Sequence, residues 1–581
     1  MRTGILVAIL AACSSSHHAA PGDGGAGSDG SGSATACTPS CASAVCGDDG
    51  CGGACGACAP DELCNSGSCR AAPGGADLIV DPTAGPHPIH PEIYGMAYAA
   101  SATMTELRLP VNRWGGNGAT LYNWQLDVHN TGNDYYFENI ADSGEGGASS
   151  ADTFVAQNAA AGTDSLVTIP TIGWTPKDRV ANHPYTCGFP VSAYGAEQAV
   201  DPYDANCGNG VSSGGAQLVP DPTHDAMAID PSFASQWLAH LVQTHGAAGA
   251  GGIRYYQLDN EMNLWGSTHR DVHPNPTSSD EVWNATASYA PLIKAADPGA
   301  FVLGYTTWGV LDMFVSALDT ANNSTTDQQA HGSIPLGQWY LRQLAGYEQA
   351  HGARIVDCYD MHYYPQGGDP LQNTRSLWDP SYHDPSWLDG YLGEPIRLLP
   401  RVMGWIAMED PGTGICFTEY NFNLDDESDA TAVLPEADVL GIFGAWGVRL
   451  ATYWTTPTDS GGAPLPPYRA FQIFRDYDGA GGAFGAISIG AASDLADVVA
   501  YAASDSASAP TTLTIVILNK ATSPASPTLA LQHFTPSGAA KVWQTAGTTA
   551  PARAADVTFA AGKATLALPA SSVTMVVVQG S

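Results

Sequence analysis

Two carboxylates each end a short run of apolar and aromatic residues in a chain poor in charge, and this pairing restricts the folds available. Glu261 closes Tyr255-Tyr256-Gln257-Leu258-Asp259-Asn260-Glu261, and Glu419 lies in Ile415-Cys416-Phe417-Thr418-Glu419-Tyr420-Asn421. Both runs read as buried strands, so each carboxylate is expected where a strand ends. Similar runs at residues 301–305, 356–363 and 451–454 alternate with helix-compatible stretches at 232–245 and 281–296. The first helix is expected to be capped by Ser232, with Phe233, Trp237, Leu238, Leu241 and Val242 on one face. Asp297-Pro298-Gly299 closes the second. Alternation sustained over residues 77–478 predicts an α/β barrel rather than a sandwich.

Beyond residue 478 the helical pattern stops. Short strand-like runs at 496–503, 511–518, 528–533, 540–545 and 573–578 stand between Gly, Ser, Pro and Asp turns, which predicts an all-β sandwich over residues 479–581. The other end is organised differently. Residues 1–13 carry Arg2, a short apolar run and Leu10-Ala11-Ala12-Cys13, which resembles a lipoprotein cleavage box with Cys13 as the lipidated residue. An ordinary secretory signal is the rival reading. Residues 14–36, made of Gly, Ser, Ala and Asp, form an expected flexible tether. Eight cysteines follow between Cys37 and Cys69 (Cys37, Cys41, Cys46, Cys51, Cys55, Cys58, Cys64 and Cys69) with almost no apolar bulk. Four disulfides of undetermined connectivity are expected there, against a zinc reading suggested by Cys55-Gly-Ala-Cys58. Cys187 and Cys207 are expected to close a further disulfide loop. Cys358 and Cys416 fall in two barrel strands as buried residues, and spacing alone does not join them.

Composition narrows the ligand. With 21 basic against 57 acidic residues the net charge is −36, which repels nucleic acid and anionic membranes and suits a neutral polymer. Paired carboxylates at the carboxyl ends of barrel strands are what glycosidic cleavage requires: one protonates the leaving oxygen, and the other attacks or activates water. At roughly 30 to 50 residues per βα unit, the separation of Glu261 from Glu419 fits strands four and seven. Asn260 could bind a sugar hydroxyl beside the reacting carbon, and Tyr363, Tyr364 and Tyr420 could hold the second carboxylate. Candidate stacking platforms are Trp114, Trp124, Trp174, Trp265, Trp308 and Trp454, with Trp454 favoured at the cleavage point. Arg113 could brace the nucleophile or form a structural ion pair. Lys177 reads either as a sugar contact or as a solvated surface residue. His269-Arg270-Asp271-Val272-His273 has zinc-type ligands, yet glycoside cleavage needs no metal. No cofactor is therefore required, and a structural Ca2+ with Glu138 as a ligand stays compatible with so many carboxylates.

Ordered segments extend this reading. They are His87-Pro88-Ile89-His90-Pro91-Glu92-Ile93-Tyr94-Gly95-Met96, Arg113-Trp114-Gly115-Gly116-Asn117, Tyr122-Asn123-Trp124 and the Asn130-to-Asn139 stretch. Leu258-Asp259-Asn260-Glu261, the His269 segment through Pro274, His362-Tyr363-Tyr364-Pro365, Thr418-Glu419-Tyr420-Asn421, Leu440-Gly441-Ile442-Phe443-Gly444 and Ala451-Thr452-Tyr453-Trp454 follow. In this order they resemble glycoside hydrolase family 44, the endoglucanases and xyloglucanases, from about residue 77 onward. The resemblance implies a TIM-like (β/α)8 barrel, and a sandwich that takes in the chain's first strand. It also implies retaining cleavage of internal β-1,4-glucan bonds, with Glu261 as acid/base, Glu419 as nucleophile and His362 and Tyr363 near the substrate. Met262 departs from the family, which usually has Pro there. The rival functions are an endo-xylanase or mannanase with the same mechanism, and a non-hydrolytic glycan-binding lipoprotein. An exported monomer, at the cell surface or extracellular, is expected in each case.

Overall fold

The computed structural model describes residues 40–581, apart from 42, 43, 50, 52 and 425. The signal segment, the tether, Cys13 and Cys37 lie outside the described residues. Eight parallel strands close a barrel: β1 (Gly95–Ala97), β2 (Val111–Trp114), β3 (Asp164–Ile169), β4 (Tyr255–Leu258), β5 (Phe301–Thr307), β6 (Cys358–Tyr363), β7 (Gly414–Tyr420) and β8 (Leu450–Tyr453). Each strand pairs with its sequence neighbours, and β8 returns to β1.

The period of two along these strands builds the interior in layers. Val111, Leu166, Tyr255, Leu303, Cys358, Cys416 and Leu450 form an apolar floor, in which a Cys358–Cys416 disulfide joins β6 to β7. Two residues further on, the layer turns polar with Arg113, Thr168, Gln257, Asp360, Thr418 and Thr452, all fully buried. Thr306 joins it across the register shift in β5. Polar side chains at barrel-interior positions must pair with one another, because water is excluded.

Outer helices follow the predicted alternation with one correction. Pro231–His245 is capped by Asp230, whose carboxylate accepts from the Ser232 backbone N–H at 2.8 Å, so Ser232 lies inside the first turn. Pro231 explains the shift: it suits the first helical position, where an N–H is not needed. Ser278 caps the helix Ser279–Ala296.

The strand Leu78–Asp81 joins the C-terminal strands. Ile487–Ser493 pairs antiparallel with Val498–Ser504 through its first three residues and with Leu78–Asp81 through its last four, so one strand links both sheets of the sandwich. The barrel helix Val433–Ala445 is clamped against this domain. Asp438 accepts from Lys520 at 2.7 Å and from the Tyr501 hydroxyl at 2.8 Å. A Cβ at Gly441 would lie 2.2 Å from the Tyr501 ring, which is why glycine stands there. The cysteine-rich segment contains Cys41–Cys55, Cys46–Cys64 and Cys58–Cys69, and Cys51 is also disulfide-bonded. Cys55 and Cys58 therefore do not form a zinc pair. Cys187–Cys207 closes its loop as expected.

The barrel disulfide spans 58 residues of sequence. Replacing Cys358 and Cys416 by Ala should cost about 2 to 4 kcal/mol, read as a lower denaturant midpoint with the strand composition unchanged by circular dichroism.

Candidate active site

Both carboxylates stand at the carboxyl end of the barrel. Glu261 lies beyond β4 in a left-handed conformation (φ 46°), after Asp259 (φ 56°), and this double reversal turns its side chain back over the barrel mouth. Met262 starts the short Met262–Leu264 turn and is fully buried beneath it. Met in place of Pro therefore leaves the carboxylate in the site. Glu419 is brought round by a register shift: β6 and β7 pair Met361 with Phe417 but His362 with Glu419. One oxygen of each carboxylate and a ring nitrogen of His362 lie within 4.8 Å of one another.

The two carboxylates share His362 Nδ1, which lies 2.8 Å from Glu261 and 3.4 Å from Glu419, and differ in their other partners. Glu419 accepts from Arg113 Nη1 at 2.7 Å and from the Tyr364 hydroxyl at 2.7 Å. Two donors, one of them charged, stabilise an ionised carboxylate. Glu261 meets His362 Nδ1 at 2.8 Å. Burial pushes the Glu261 carboxyl up to about 8; Arg113 opposes the rise and Asp134 adds to it. Burial pulls His362 down to about 3, so the imidazole is neutral. Arg113 is the hub: besides Glu419 it donates to Gln257 Oε1 at 2.7 Å and to Asn260 Oδ1 at 2.9 Å. Asn260 donates in turn to Asn117, and Asn117 to the exposed Asp134 at 3.0 Å.

Of the aromatic candidates, Trp454 is at the site. It lies 5.6 Å from the Arg113 guanidinium and closes on Gly116 (φ 83°), where a Cβ would come 2.7 Å from the indole. Three of the other indoles pack on the core. Trp114 packs with Tyr122 and Trp237 in the core, Trp265 is buried against His273, and Trp124 stacks on His240 of an outer helix. A bulky ring at the end of a strand or in a loop is as useful for covering the core as for meeting ligand, and these three do the former. Trp174 and Trp308 are half-buried, one side packed on the barrel. Tyr363 turns to Ser376 and Tyr420 to Glu436, so among the three tyrosines it is Tyr364 that holds Glu419. Lys177 is exposed and donates to the Thr223 carbonyl. Residues that the sequence reading did not single out are Gln257, Thr306, Asp360 and Thr418, a connected polar layer beneath the pair. Asp360, a carboxylate inside the fully buried strand Cys358–Tyr363, was the available signal.

The His269 segment holds no close-set ligand group: His273 bonds Glu281 at 2.7 Å, while both ring nitrogens of the buried His269 lack a partner. A different cluster suits a cation. Glu138 is fully buried with both carboxylate oxygens unpartnered, and Asp201 Oδ2 lacks a hydrogen bond. His183 Nε2 lies 3.3 Å from that oxygen. A donor set dominated by carboxylate oxygens fits a hard divalent ion such as Ca2+.

A family model for glycoside hydrolase family 44 matches residues 128–367. The bifunctional glucanase-xylanase CelM2 from a metagenome library is 36% identical, with a TM-score of 0.81 over 88% of this chain and 100% of that one. The chain belongs to glycoside hydrolase family 44. A family 44 xyloglucanase of Paenibacillus polymyxa is 25% identical over 87% of this chain and 99% of its own, with a TM-score of 0.70. The beta-mannanase/endoglucanase A of Caldicellulosiruptor saccharolyticus is 27% identical over 466 residues, 73% of this chain; the chain spans 33% of that relative's length. Family 44 membership accounts for the barrel and for the sandwich that recruits the strand Leu78–Asp81.

If burial holds the Glu261 proton, a protonated-carboxyl infrared band should persist to about pH 8 in the wild type and be missing from the difference spectrum of Glu261→Gln. Loss of the band near pH 4.5, the ordinary value, would contradict this account.

Proposed function

We propose that the protein is an endo-acting glycoside hydrolase that cleaves internal β-1,4-glucosidic bonds of a cellulose-like glucan or xyloglucan by retaining double displacement. The observation that carries the reading is the carboxylate pair: oxygens of Glu261 and Glu419 lie within 4.8 Å of each other. Retaining enzymes hold their carboxyl groups about 5 to 5.5 Å apart, whereas inverting ones leave roughly 6.5 to 9.5 Å for a water. Glu419, ionised and held by Arg113 and Tyr364, is the nucleophile that bonds to the anomeric carbon. Glu261, protonated in its buried position, gives its proton to the departing oxygen. A water then attacks the same carbon, Glu261 takes its proton, and Glu419 leaves. Trp454 offers an apolar face beside the reacting sugar, and Asn260, fixed by Arg113, presents its amide there.

Relatives named as a glucanase-xylanase and as a mannanase/endoglucanase favour a second reading, an endo-xylanase or mannanase with the same chemistry. No cofactor takes part in either. Export is consistent with the disulfides described, and a lipid at Cys13 would tether the enzyme to a membrane. Among the described residues no helix is long and apolar enough to cross a membrane. A bound Ca2+ on the oxygens of Glu138 and Asp201, with Asp204 close by, would neutralise this buried charge and brace the loop that leads to Asp134.

Viscometry on carboxymethyl cellulose, xyloglucan, xylan and glucomannan tests the substrate. Glu419→Gln should abolish cleavage, and Glu261→Gln should lower it by roughly 10²- to 10⁴-fold. Proton NMR of the first products should record the β-anomer; an α-anomer would refute retention. Chelation with EDTA should lower the melting temperature by several degrees, with recovery on added Ca2+; an unchanged melting curve would remove the metal from this account.

A further inference from the structure

Hydrogen bonds in the barrel interior run in one direction, set by a residue that can only donate. Arg113 Nε gives a hydrogen to Gln257 Oε1 at 2.7 Å, which fixes the amide. Gln257 Nε2 then donates to Thr306 Oγ1 at 3.0 Å and to the Asp259 carbonyl at 2.9 Å. The Thr306 hydroxyl passes its own hydrogen to Asp360 Oδ2 at 2.8 Å. Asp360 also receives both donors of Thr418, the hydroxyl on Oδ2 at 2.7 Å and the backbone N–H on Oδ1 at 3.0 Å. A hydroxyl carries one hydrogen, so with Asp360 ionised, above the value of about 7 to which burial pushes its carboxyl, Thr418 Oγ1 accepts toward His362 Nε2, 3.1 Å away. The imidazole hydrogen is therefore on Nε2. His362 is neutral, Nδ1 is bare, and a bare ring nitrogen accepts. Two carboxylates face it, Glu261 Oε1 at 2.8 Å and Glu419 Oε2 at 3.4 Å; Glu419 already accepts from Arg113 and from the Tyr364 hydroxyl, so Glu261 has to supply the hydrogen.

We propose that Asp360 is a positioning residue that, through Thr418 and the Nε2–H tautomer of His362, obliges Glu261 to carry the proton delivered to the glycosidic oxygen. The proposal rests on the acid/base reading above and adds what holds that proton in place. Asp360 lies one layer below the carboxylates and does not reach substrate. When the proton has passed to the leaving oxygen, the Glu261 carboxylate faces a bare nitrogen. That repulsion is relieved when the attacking water returns a proton to Glu261 in the second displacement.

Charged and titratable groups face Glu261 from several elements: Arg113 from β2, His362 from β6, Tyr364 just after it, Glu419 from β7, Asp134 from the turn Gly132–Asp134 and Asp312 from the turn Leu311–Met313. The Arg113 charge favours the carboxylate, and the acidic groups favour the carboxyl. Those charges bias the proton without directing it; the His362 acceptor gives it a direction.

Asp360→Asn keeps the shape and reverses the chain. Its amide nitrogen would donate to Thr418 Oγ1, the Thr418 hydroxyl would turn to His362 Nε2, and Nδ1–H would then donate to Glu261. Two substrates separate the outcomes: a β-1,4-glucan, whose leaving oxygen needs a proton, and dinitrophenyl β-cellobioside, whose leaving group does not. Asp360→Asn should lower kcat/KM on the polymer by roughly 10²- to 10⁴-fold, and on the aryl substrate by less than about threefold. Thr418→Val should fall in the same direction. Equal losses on both substrates in folded variants, or no loss on either, would overturn the proposal. Should the variants not fold, the ¹⁵N resonances of wild-type His362, assigned by difference from His362→Gln, decide it. A neutral Nε2–H tautomer supports the chain, and an Nδ1–H tautomer refutes it. Wild-type protein that cleaves neither substrate sinks the hydrolase reading and this proposal with it, whereas failure confined to the variants sinks the proposal alone.

Discussion

The ion pair between Arg113 and Glu419 organises the site. Arg113 is fully buried in the barrel interior, where an unpaired guanidinium would be costly, so each face of it is matched by an acceptor: Glu419, Gln257 and Asn260. These partners come from β7, from β4 and from the turn beyond β4. Trp454 covers the pair, and this in turn requires a residue without Cβ at Gly116. Removing the arginine would leave a buried carboxylate without its charged partner, and would take the guanidinium donor from the amide oxygens of Gln257 and Asn260.

That guanidinium also explains why the barrel changes character halfway up. The floor is apolar and stapled by Cys358–Cys416, which gives β6 and β7 a fixed separation below the site. Above it the interior positions of β2 to β8 are polar (Arg113, Thr168, Gln257, Thr306, Asp360, Thr418 and Thr452), and these hydroxyls and amides have defined donor or acceptor roles. A fully satisfied polar layer of this kind is rigid, since shifting one group strands another without a partner. Rigidity is what a pair of carboxylates within 4.8 Å of each other needs.

Much of the architecture was legible from local pattern. Apolar runs ending in Glu261 and Glu419 marked strand ends, and the loss of helical periodicity after residue 478 marked the sandwich. The Cys187–Cys207 loop was equally visible. Other features were not. Asp230 took the cap expected of Ser232 because Pro231 prefers the first helical turn. Indoles looked alike in sequence, yet Trp114 and Trp265 went to the core while Trp454 lies over the ion pair. Tyr363, Tyr364 and Tyr420 are also alike on paper; which of them meets Glu419 depends on the register shift between β6 and β7.

By itself the sequence determined the barrel, the sandwich and the positions of the two carboxylates at strand ends, because periodicity is a local property of the chain. Tertiary structure alone decided the approach of the two carboxylates, the Cys358–Cys416 bond, the lack of hydrogen bonds to the Glu138 oxygens and the linkage from Arg113 through Asp360 to His362. Each depends on residues far apart in the chain meeting at a particular distance and angle. Strand register and barrel closure set that distance, and no local pattern encodes it.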